Sequence, residues 1–492
     1  MESKLDRLKR AFNPRSVAVI GDKYENNNYF FLRSLKTFQG DVFSVNIDPN
    51  EIPGIEELGI KNYLSLKDVP DPVDYVIMAV PREVSPIILK DCIDKDVGGV
   101  TMFTSGFAET KTEKGIELAN TITEIAKEGN LNLIGPNCMG IFNPRLGLRN
   151  SPDQYSGENG QVGFISQSGG HAINFSVVGH NNRINISKLV SFGNAYILDS
   201  TDYCEYLLQD DETKIIAMYI EGIKDGRALF NLLSRSANSK PILIWKGGQT
   251  EEGSIATSSH SGSMAESMFM WETLIKQCGA IQIDDLEELV DTVMMLLYTP
   301  EVRGKNLGLI SLSGGQCVNM TDQFAKVGFK APMLTEKSYQ ELASIFALVG
   351  ASYRNPIDLG GNLSLAESTR RALLGRDDIP SKERLLDITM DILDNDENID
   401  AIVIEMSAHL LKWFKEAFTD FEEYFYNTLE NFRNKSKKPL IVIIPPSKVE
   451  TGAIEMKNRL LEKSIANFPS FTRGAVALSK VIEYYRHHHL KG

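Results

Sequence analysis

Residues 161–170 read QVGFISQSGG, a short apolar run that leads into a turn of small residues and then into the helical pattern HAINFSVVGH. An apolar run of about four to eight residues, bounded by turn residues, is typical of a strand that is buried on both faces. Such strands belong to parallel sheets, in which a helix crosses over from each strand to the next. The stretch therefore predicts one strand–turn–helix unit of a parallel α/β sheet.

The same alternation recurs in three sets along the chain, which we interpret as three successive α/β units. The first set predicts a Rossmann-like sheet, with strands at residues 16–21, 42–46, 73–80, 98–104 and 131–135. The second set predicts strands at residues 161–166, 184–191, 214–220, 241–246 and 280–283. The third set follows a linker at residues 300–304 and predicts strands at residues 306–311, 401–406 and 439–444, then a closing helix from about residue 474.

Length and charge exclude several classes of protein. The 492 residues suffice for about two to four domains. The excess of 65 acidic over 52 basic residues gives a net charge of −13, which disfavours nucleic acid as a partner. No apolar run is long enough to span a bilayer, and the amino terminus is charged, so we expect a cytoplasmic protein without membrane contact.

The five cysteines are widely spaced and odd in number, which predicts reduced thiols in the core.

The turn after the first strand, Gly21-Asp22-Lys23, lacks the further glycines of the GxGxxG dinucleotide fingerprint. A nicotinamide-dependent oxidoreductase is therefore disfavoured. Asn27 or Asn28 can adopt the left-handed backbone that a glycine would otherwise supply. The residues leave two interpretations open, a site for a nucleotide-like ligand and a plain structural turn.

Two other turns predict anion sites. Ser168, Gly169 and Gly170 open the helix after the strand at residues 161–166, and Gly314 and Gly315 open the helix after the strand at residues 306–311. The first turn of a helix presents N–H groups and a partial positive charge to an anion. Because the two glycine pairs occupy equivalent positions, we interpret both as phosphate-binding turns, although such turns also serve as simple connections.

A histidine in a polar segment is the candidate nucleophile. Residues 247–263, GGQTEEGSIATSSHSGS, are expected to form a long loop. His260 lies there among serines and glycines, which suits a mobile imidazole that accepts a phosphoryl group at neutral pH. Glu221, at the carboxyl end of the strand at residues 214–220, can orient that imidazole. A surface histidine without a function and a solvated strand-end acid remain the alternatives.

Eight motifs stand in an order that resembles the α subunit of the nucleoside-diphosphate-forming acyl-CoA synthetases, the group of ADP-forming acetate–CoA ligase and, more distantly, succinate–CoA ligase. Eight motifs in order are far more specific than any one of them. They span nearly the whole chain and read TSGFAE (104–109), GPNCMGIFNP (135–144), GFISQSGG (163–170), SFGNA (191–195), YIEGIKDGR (219–227), WKGGQTEEG (245–253), SHSGSMA (259–265) and RNPIDLGGN (354–362).

The resemblance implies a Rossmann-like CoA-binding domain at residues 1–150. Two flavodoxin-like domains are implied at residues 151–300, with the phosphohistidine loop, and at residues 301–492. His260 falls on the phosphorylated histidine, Glu221 on the acid that pairs with it, and the Ser168 turn on the helix start that holds the phosphate. The implied CoA contacts are Gly21, Lys23, Asn46, Val80, Pro81, Ser105, Gly106, Asn137 and Met139.

By the same resemblance, the protein interconverts acyl-CoA, ADP and phosphate with a carboxylic acid, CoA and ATP. An acyl phosphate passes its phosphoryl group to the histidine and from there to ADP. The ATP-grasp domain that binds ADP or ATP with Mg²⁺ is expected on a separate β subunit, in an α2β2 or similar hetero-oligomer, and no metal site is expected on this chain. The alternative is a CoA- or acyl-CoA-binding regulatory protein of the same fold without turnover.

Two stretches depart from the family's pattern. The first turn is poorer in glycine than is usual, and Asp48 stands near the place where members often have a lysine for the CoA phosphates. In the third unit, Ser311-Leu312-Ser313 stands where members commonly have a turn of the Asn-Ala-Gly-Gly type.

Overall fold

The computed structural model describes the backbone of residues 2–236, 239–260, 268–418, 420–448 and 450–489, and the side chains of these residues apart from 26, 27, 258–260 and 417. The chain divides into two units, Met1–Leu289 and Val290–Gly492. Two sheets lie in the first unit and a third lies in the second unit. The predicted α/β class, built on parallel sheets, is confirmed.

The first sheet is Rossmann-like and parallel throughout. Its strands are β1 (Ser16–Ile20), β2 (Asp41–Val45), β3 (Lys61–Tyr63), β4 (Tyr75–Met78), β5 (Gly99–Met102) and β6 (Leu133–Ile134), in the order β3-β2-β1-β4-β5-β6. Ile20 at the end of β1 lies opposite both Val45 and Met78. The carboxyl ends of the central strands therefore meet at one edge, where ligands of open α/β sheets bind.

Over the described residues, six α-helices accompany these strands. They are α1 (Lys4–Phe12), α2 (Tyr24–Asn27), α3 (Phe30–Ser34), α4 (Ile52–Glu57), α5 (Ser85–Asp94) and α6 (Glu113–Glu128). The longest of them, α6, is capped by Thr112, whose hydroxyl accepts the Gly115 N–H at 3.2 Å. Its buried positions include Gly115, Ala119, Ile122 and Ala126, a spacing of three and four residues that puts one apolar face against the core.

The second sheet carries one antiparallel edge strand. Its strands are β7 (Gly140–Phe142), β8 (Val162–Ser166), β9 (Ile186–Ser191), β10 (Ile215–Ile220), β11 (Ile242–Lys246) and β12 (Ile281–Ile283), in the order β12-β11-β10-β8-β9-β7. Only the pairing of β7 with β9 is antiparallel among the described strands of this sheet. The helices that follow in the chain are α7 (Gly169–His180), α8 (Ser200–Gln209), α9 (Gly226–Ser236), α10 (Glu251–His260) and α11 (Met268–Cys278). The next helix, α12 (Leu286–Tyr298), begins in the first unit and continues into the second.

The third sheet is again parallel and lies in the unit Val290–Gly492. Its strands are β13 (Leu307–Ser311), β14 (Ile357–Asp358), β15 (Ala401–Glu405), β16 (Leu440–Ile443) and β17 (Ala466–Phe468), in the order β14-β13-β15-β16-β17. Nine helices belong to it, α13 (Gly314–Lys326), α14 (Glu336–Ala343), α15 (Gly360–Ser364), α16 (Glu367–Leu374), α17 (Leu385–Asn395), α18 (Ala408–Ala417), α19 (Phe421–Lys435), α20 (Glu450–Glu462) and α21 (Phe471–His489), counted over the described residues.

The strands expected from the sequence are all present, and so is the closing helix. Four strands were missed, β3, β7, β14 and β17, each of only two or three residues. The equally short strands β6 and β12 were recognised, because they lie in the runs LNLIG and AIQI, which resemble buried strands in length. β7 precedes residue 150 yet pairs in the second sheet. The division into three domains at residues 150 and 300 stays a prediction.

The prediction of a long loop at residues 247–263 is wrong for most of that segment, because Glu251–His260 form α10. The Thr250 Oγ1 accepts the Gly253 N–H at 3.0 Å, in the manner of a helix cap. Glu251 and Glu252 then suit the positive end of the helix dipole. These signals outweigh the serines and glycines that favoured a loop. Residues 261–263 lie outside the described residues.

All five cysteines are described and buried, as expected, and none forms a disulfide. Burial raises the pKa of the Cys138 and Cys204 thiols to about 12. They are therefore protonated core residues rather than nucleophiles. Over the described part of the chain, no helix combines the length and the apolar composition needed to cross a membrane.

Candidate active site

A cavity of about 170 Å³ lies where β8 ends and α7 begins, within the unit Met1–Leu289. It brings together six residues that were predicted from the sequence, Asn137, Met139, Ser168, Gly169, Gly170 and Glu221. The other lining residues are Phe103, Cys138, Gln167, Gly193 and Asn194.

Two serines shape the turn from β8 to α7. The Ser166 Oγ donates to the Ser168 carbonyl at 2.7 Å and accepts the Ser168 N–H at 3.2 Å. Ser168 is the N-cap of α7, and its Oγ accepts the His171 N–H at 3.3 Å. The twelve-residue helix therefore begins at the cavity, where the positive end of its dipole favours an anion.

The two glycines of this turn differ in what surrounds them. A Cβ on Gly169 would lie 2.7 Å from the Met139 Cγ, whereas a Cβ on Gly170 would meet only the Ser168 Oγ, at 3.8 Å. Gly169 is therefore needed for the packing of Met139. Neither glycine carries a side chain that would keep an anion from the backbone N–H groups.

Glu221 follows β10 and is 6% exposed. Its Oε1 accepts the Tyr219 hydroxyl at 3.2 Å. Gln167 reaches over from the neighbouring strand end, and its Oε1 accepts the N–H groups of Glu221 and, at 3.0 Å, Gly222. The carboxylate thus lies at the cavity on a turn that Gln167 holds in place.

Lys246, the last residue of β11, brings a positive charge to the same place. Its buried Nζ donates to the carbonyls of Glu221 at 2.7 Å and of Gly247 at 2.6 Å, and so joins the ends of β10 and β11. A Cβ on Gly247 would lie 2.7 Å from the Tyr219 hydroxyl and 3.3 Å from the Glu221 Cγ. The segment that leads to His260 therefore starts against Glu221.

Two aromatic neighbours of Glu221 have shifted pKa values. Burial, reinforced by the charge of Glu221, raises the pKa of Tyr219 above its ordinary value. Burial lowers the pKa of His171, and Glu221 partly opposes that shift. The His171 ring lies 4.5 Å from the Tyr219 ring and 4.5 Å from the Trp245 ring, between centroids. At neutral pH, Tyr219 is therefore a hydrogen-bond donor to Glu221, and His171 is uncharged.

Another part of the cavity wall comes from the motifs at residues 135–140 and 191–195. Asn137 has a left-handed backbone, with φ 60°, and its N–H donates to the Thr104 carbonyl at 3.0 Å. A Cβ on Gly193 would collide with the carbonyl oxygen of Asn137, so only a glycine fits there. The two motifs are thus packed backbone against backbone at the cavity.

The remaining residues predicted for CoA follow the strands of the first sheet. Gly21 has φ 81°, and a Cβ there would lie 2.6 Å from the Val80 Cγ1. The Val80 carbonyl accepts the Thr104 Oγ1 at 2.5 Å. Gly106 has φ 98°, and its N–H donates to the Glu109 Oε1 at 2.6 Å. The structure thus places Gly21, Val80, Pro81, Ser105 and Gly106 on the segments after β1, β4 and β5.

Lys23 and Asn46, also predicted for CoA, lie among acids. The Asn46 Nδ2 donates to the Asp22 carbonyl at 2.9 Å, which ties the end of β2 to the first turn. The Lys23 Nζ lies 3.8 Å from the Asp48 Oδ2. The positive charge of the lysine, which follows β1, is therefore balanced by a carboxylate that follows the neighbouring strand β2.

The third sheet repeats the glycine turn with different neighbours. Ser313 is the N-cap of α13, which opens on Gly314 and Gly315. The Ser311 Oγ donates to the Glu405 Oε2 at 2.7 Å, and burial raises the pKa of Glu405. A Cβ on Gly314 would lie 3.3 Å from the Asp358 Oδ2. Two acids thus lie at this turn, and its role in phosphate binding stays a prediction.

His260 is the last residue of α10, and its side chain lies outside the described residues. Gly248 precedes this helix and has φ 75°, and a Cβ there would lie 2.8 Å from the Thr257 Oγ1. The backbone before the helix is therefore packed closely against its second turn. The pairing of His260 with Glu221 stays a prediction.

Two polar residues that line the cavity, Gln167 and Asn194, were missed from the sequence, and so was Lys246, which contacts the Glu221 carbonyl. Gln167 and Asn194 lie inside recognised motifs, but their contacts join distant segments, such as the Asn194 Nδ2 with the Glu109 Oε2 at 2.8 Å. For Lys246 the sequence did contain a signal, because this charged residue ends the apolar run PILIWK at residues 241–246. A lysine buried at a strand end needs acceptors nearby, which predicts a role in holding that edge.

Two family models match the part of the chain that contains the first and second sheets. A CoA binding domain matches residues 15–144, and a succinyl-CoA ligase like flavodoxin domain matches residues 159–296. The two ranges follow the first and second sheets described above, except that β7 falls in the first range.

Curated relatives match over much of the chain. The α subunit of ADP-forming acetate–CoA ligase II from Pyrococcus furiosus is 36% identical over 354 residues, 71% of this chain and 75% of the relative. The α subunit of ADP-forming acetate–CoA ligase I from the same organism is 29% identical over 489 residues, 97% of each chain. The chain spans about half the length of other curated relatives it matches, 55% and 49% for two of them.

A solved structure matches the fold of the whole chain. It is that of the dinucleotide forming acetyl-coenzyme A synthetase 1 of Ca. Korarchaeum cryptofilum in complex with phosphate and ADP. The match has a TM-score of 0.81 at 27% sequence identity and covers 98% of both chains.

Proposed function

The chain belongs to the family of the ADP-forming acetate–CoA ligases, and on that basis we propose that it is the α subunit of an acid–CoA ligase. The proposed reaction is reversible and interconverts acyl-CoA, ADP and phosphate with a carboxylic acid, CoA and ATP. The phosphoryl group passes through a phosphohistidine at His260. The observation that carries the proposal is the cavity in which the glycine turn of α7 meets the carboxylate of Glu221.

The start of α7 is the proposed phosphate site. The helix dipole and the N–H groups of Gly169 and Gly170 stabilise a phosphate there, and the Ser168 N-cap fixes their direction. A carboxylate beside a phosphate is unfavourable, whereas a carboxylate beside a histidine fixes the tautomer of the ring and stabilises its positive charge. Glu221 is therefore assigned to His260 and not to the phosphate.

In the central step, an imidazole nitrogen of His260 attacks the phosphorus of an acyl phosphate. The N–P bond forms while the P–O bond to the acyl group breaks, and the electron pair leaves on the released carboxylate. In the following step, an oxygen of the ADP β-phosphate attacks the same phosphorus. The N–P bond breaks, ATP is formed, and the imidazole is restored. Glu221 accepts a hydrogen bond from the other ring nitrogen throughout.

CoA is proposed to bind at the carboxyl edge of the first sheet. Gly21 fits this role because it follows β1 directly and adds no side chain there, and Gly106 adds none on the segment after β5. Lys23 and Arg82 bring positive charge to the same edge, although each already has a carboxylate beside it, Asp48 and Glu83 respectively. The bound CoA supplies the thiol that leaves the acyl group or receives it.

ADP or ATP with Mg²⁺ is proposed to bind an ATP-grasp β subunit in an α2β2 or similar hetero-oligomer. Relatives that are named as α subunits imply a partner subunit. Over the described residues, no group of three or more His, Cys, Asp or Glu side chains is placed to hold a metal ion. The regulatory interpretation, in which CoA binds without turnover, has no support among these relatives.

The proposal is tested by ATP formation from ADP, phosphate and a panel of acyl-CoA esters, with the chain in complex with its β subunit. We expect ATP with at least one ester, and its loss in His260→Ala. His409→Ala, which removes a histidine of the other unit, is the matched control and is expected to retain activity. ATP formation by His260→Ala, or none with any ester, would contradict the proposal.

A further inference from the structure

The segment after the second strand carries an acid that is fixed beside the first turn. Asp48 lies three residues beyond β2, with 35% of its side chain exposed. The Asn46 Oδ1 accepts the Asp48 N–H at 3.0 Å, and the Asn46 Nδ2 donates to the Asp22 carbonyl. The Asp48 Oδ2 lies 3.8 Å from the Lys23 Nζ. Asp48 is therefore held at the Gly21-Asp22-Lys23 turn and does not extend away from it.

Two further carboxylates at the same edge of the sheet, Glu51 after β2 and Asp22 after β1, accept hydrogen bonds from backbone N–H groups. Glu51 is 8% exposed, and its Oε2 accepts the Tyr24 N–H at 2.9 Å. Asp22 is 2% exposed, and its Oδ2 accepts the Phe31 N–H at 3.0 Å and the Leu32 N–H at 2.9 Å. Three N–H groups of this region thus already have anionic acceptors. The turn is acidic where a phosphate-binding turn would be basic.

In Rossmann-like sheets, an acid at the carboxyl end of the second strand accepts hydrogen bonds from the ribose hydroxyls of a bound nucleotide. The same carboxylate repels a phosphate group on that ribose, because like charges are brought together and lose water. CoA carries a phosphate on its ribose, and dephospho-CoA carries a free hydroxyl in its place. The ratio of the affinities for CoA and dephospho-CoA therefore measures how the protein responds to the ribose phosphate.

We propose that Asp48 is a specificity-determining residue that disfavours a phosphorylated ribose at the nucleotide-binding edge of the first sheet. The inference rests on the proposed CoA-binding function and adds that the ribose phosphate of CoA contributes little to its affinity. Asp48 acts in two ways. It repels the phosphate directly, and it balances the charge of Lys23, which would otherwise attract the phosphate.

The test measures the affinity of the purified full chain for CoA and for dephospho-CoA by isothermal titration calorimetry at low ionic strength, where charge effects are least screened. Asp48→Asn removes the charge and keeps an oxygen for the Asn50 N–H, which Asp48 now accepts at 3.0 Å. The matched control is Asp41→Asn. It makes the same change at an exposed aspartate at the opposite end of β2.

The wild-type chain is expected to bind dephospho-CoA at least as tightly as CoA. Asp48→Asn is expected to bind CoA about fivefold more tightly, with a smaller change for dephospho-CoA, and Asp41→Asn to leave both affinities unchanged. A wild-type chain that clearly prefers CoA, or an Asp48→Asn variant with an unchanged ratio of the two affinities, would overturn the inference while CoA binding stands. No binding of either ligand by any variant would overturn the CoA-binding function itself, and the inference with it.

Discussion

Gly169 and Gly170 stand next to each other at the start of α7, yet their replacement by alanine is expected to have opposite effects. In Gly169→Ala, the new Cβ would lie 2.7 Å from the Met139 Cγ, so Met139 has to change rotamer and move into the cavity. We expect this variant to be about 1 to 2 kcal/mol less stable to urea than the wild type. We also expect slower phosphoryl transfer, because the displaced methionine narrows the phosphate site.

Gly170→Ala is the control for backbone entropy alone. Its Cβ would meet nothing closer than the Ser168 Oγ at 3.8 Å, and an alanine in a helix is favoured over a glycine by up to about 1 kcal/mol. This variant is therefore expected to be as stable as the wild type or more stable. Equal losses of stability in the two variants would show that the packing of Met139 does not set the requirement for glycine.

The ends of β10 and β11 are joined by Lys246, whose Nζ donates to the carbonyls of Glu221 and Gly247. In Lys246→Met, an apolar chain of similar length leaves these two buried carbonyls without that donor. We expect a loss of about 2 kcal/mol in the free energy of unfolding, measured with urea, together with reduced phosphorylation of the chain. Lys276→Met, at an exposed position of α11, makes the same chemical change and is expected to alter neither quantity.

The two units of the molecule, Met1–Leu289 and Val290–Gly492, are expected to respond differently to ligand, because every candidate CoA residue lies in the first unit. In differential scanning calorimetry, CoA at about 100 times its Kd should stabilise the first unit by about 2.7 kcal/mol. The transition of the second unit should stay at the same temperature. An equal shift of both transitions, or a shift of the second alone, would contradict this placement of the CoA site.

The sequence was sufficient for the main strands because each is a buried apolar run with a helical pattern after it. β7 could not be recognised, since its three residues lie inside the motif GPNCMGIFNP and its partner β9 follows more than 40 residues later. The helical start at Thr250 was masked by the serines and glycines around it. Composition indicated a loop, while the cap and the two acids favoured a helix.

The part of the candidate site that is formed by residues adjacent in the chain could be predicted from the sequence. Ser168, Gly169 and Gly170 could be found because a strand, a glycine turn and a helix follow one another directly in the chain. The contacts that hold Glu221, from Gln167 and Lys246, join three separate strand ends and leave no local pattern. Asp22 and Asp48 were visible at the first turn in the sequence, but the contribution of Glu51 was hidden, because Glu51 reaches the Tyr24 N–H from 27 residues away.

The central claim is that His260 carries the phosphoryl group, and its most direct test is chemical. The chain is incubated with acetyl-CoA or another accepted acyl-CoA and ³²P-labelled phosphate, and the modified residue is located by mass spectrometry. The account predicts an acid-labile, base-stable label on His260 that is absent from His260→Ala, strongly reduced in Glu221→Gln and retained in His409→Ala. A label that survives His260→Ala, or no such label with any accepted acyl-CoA, would contradict it.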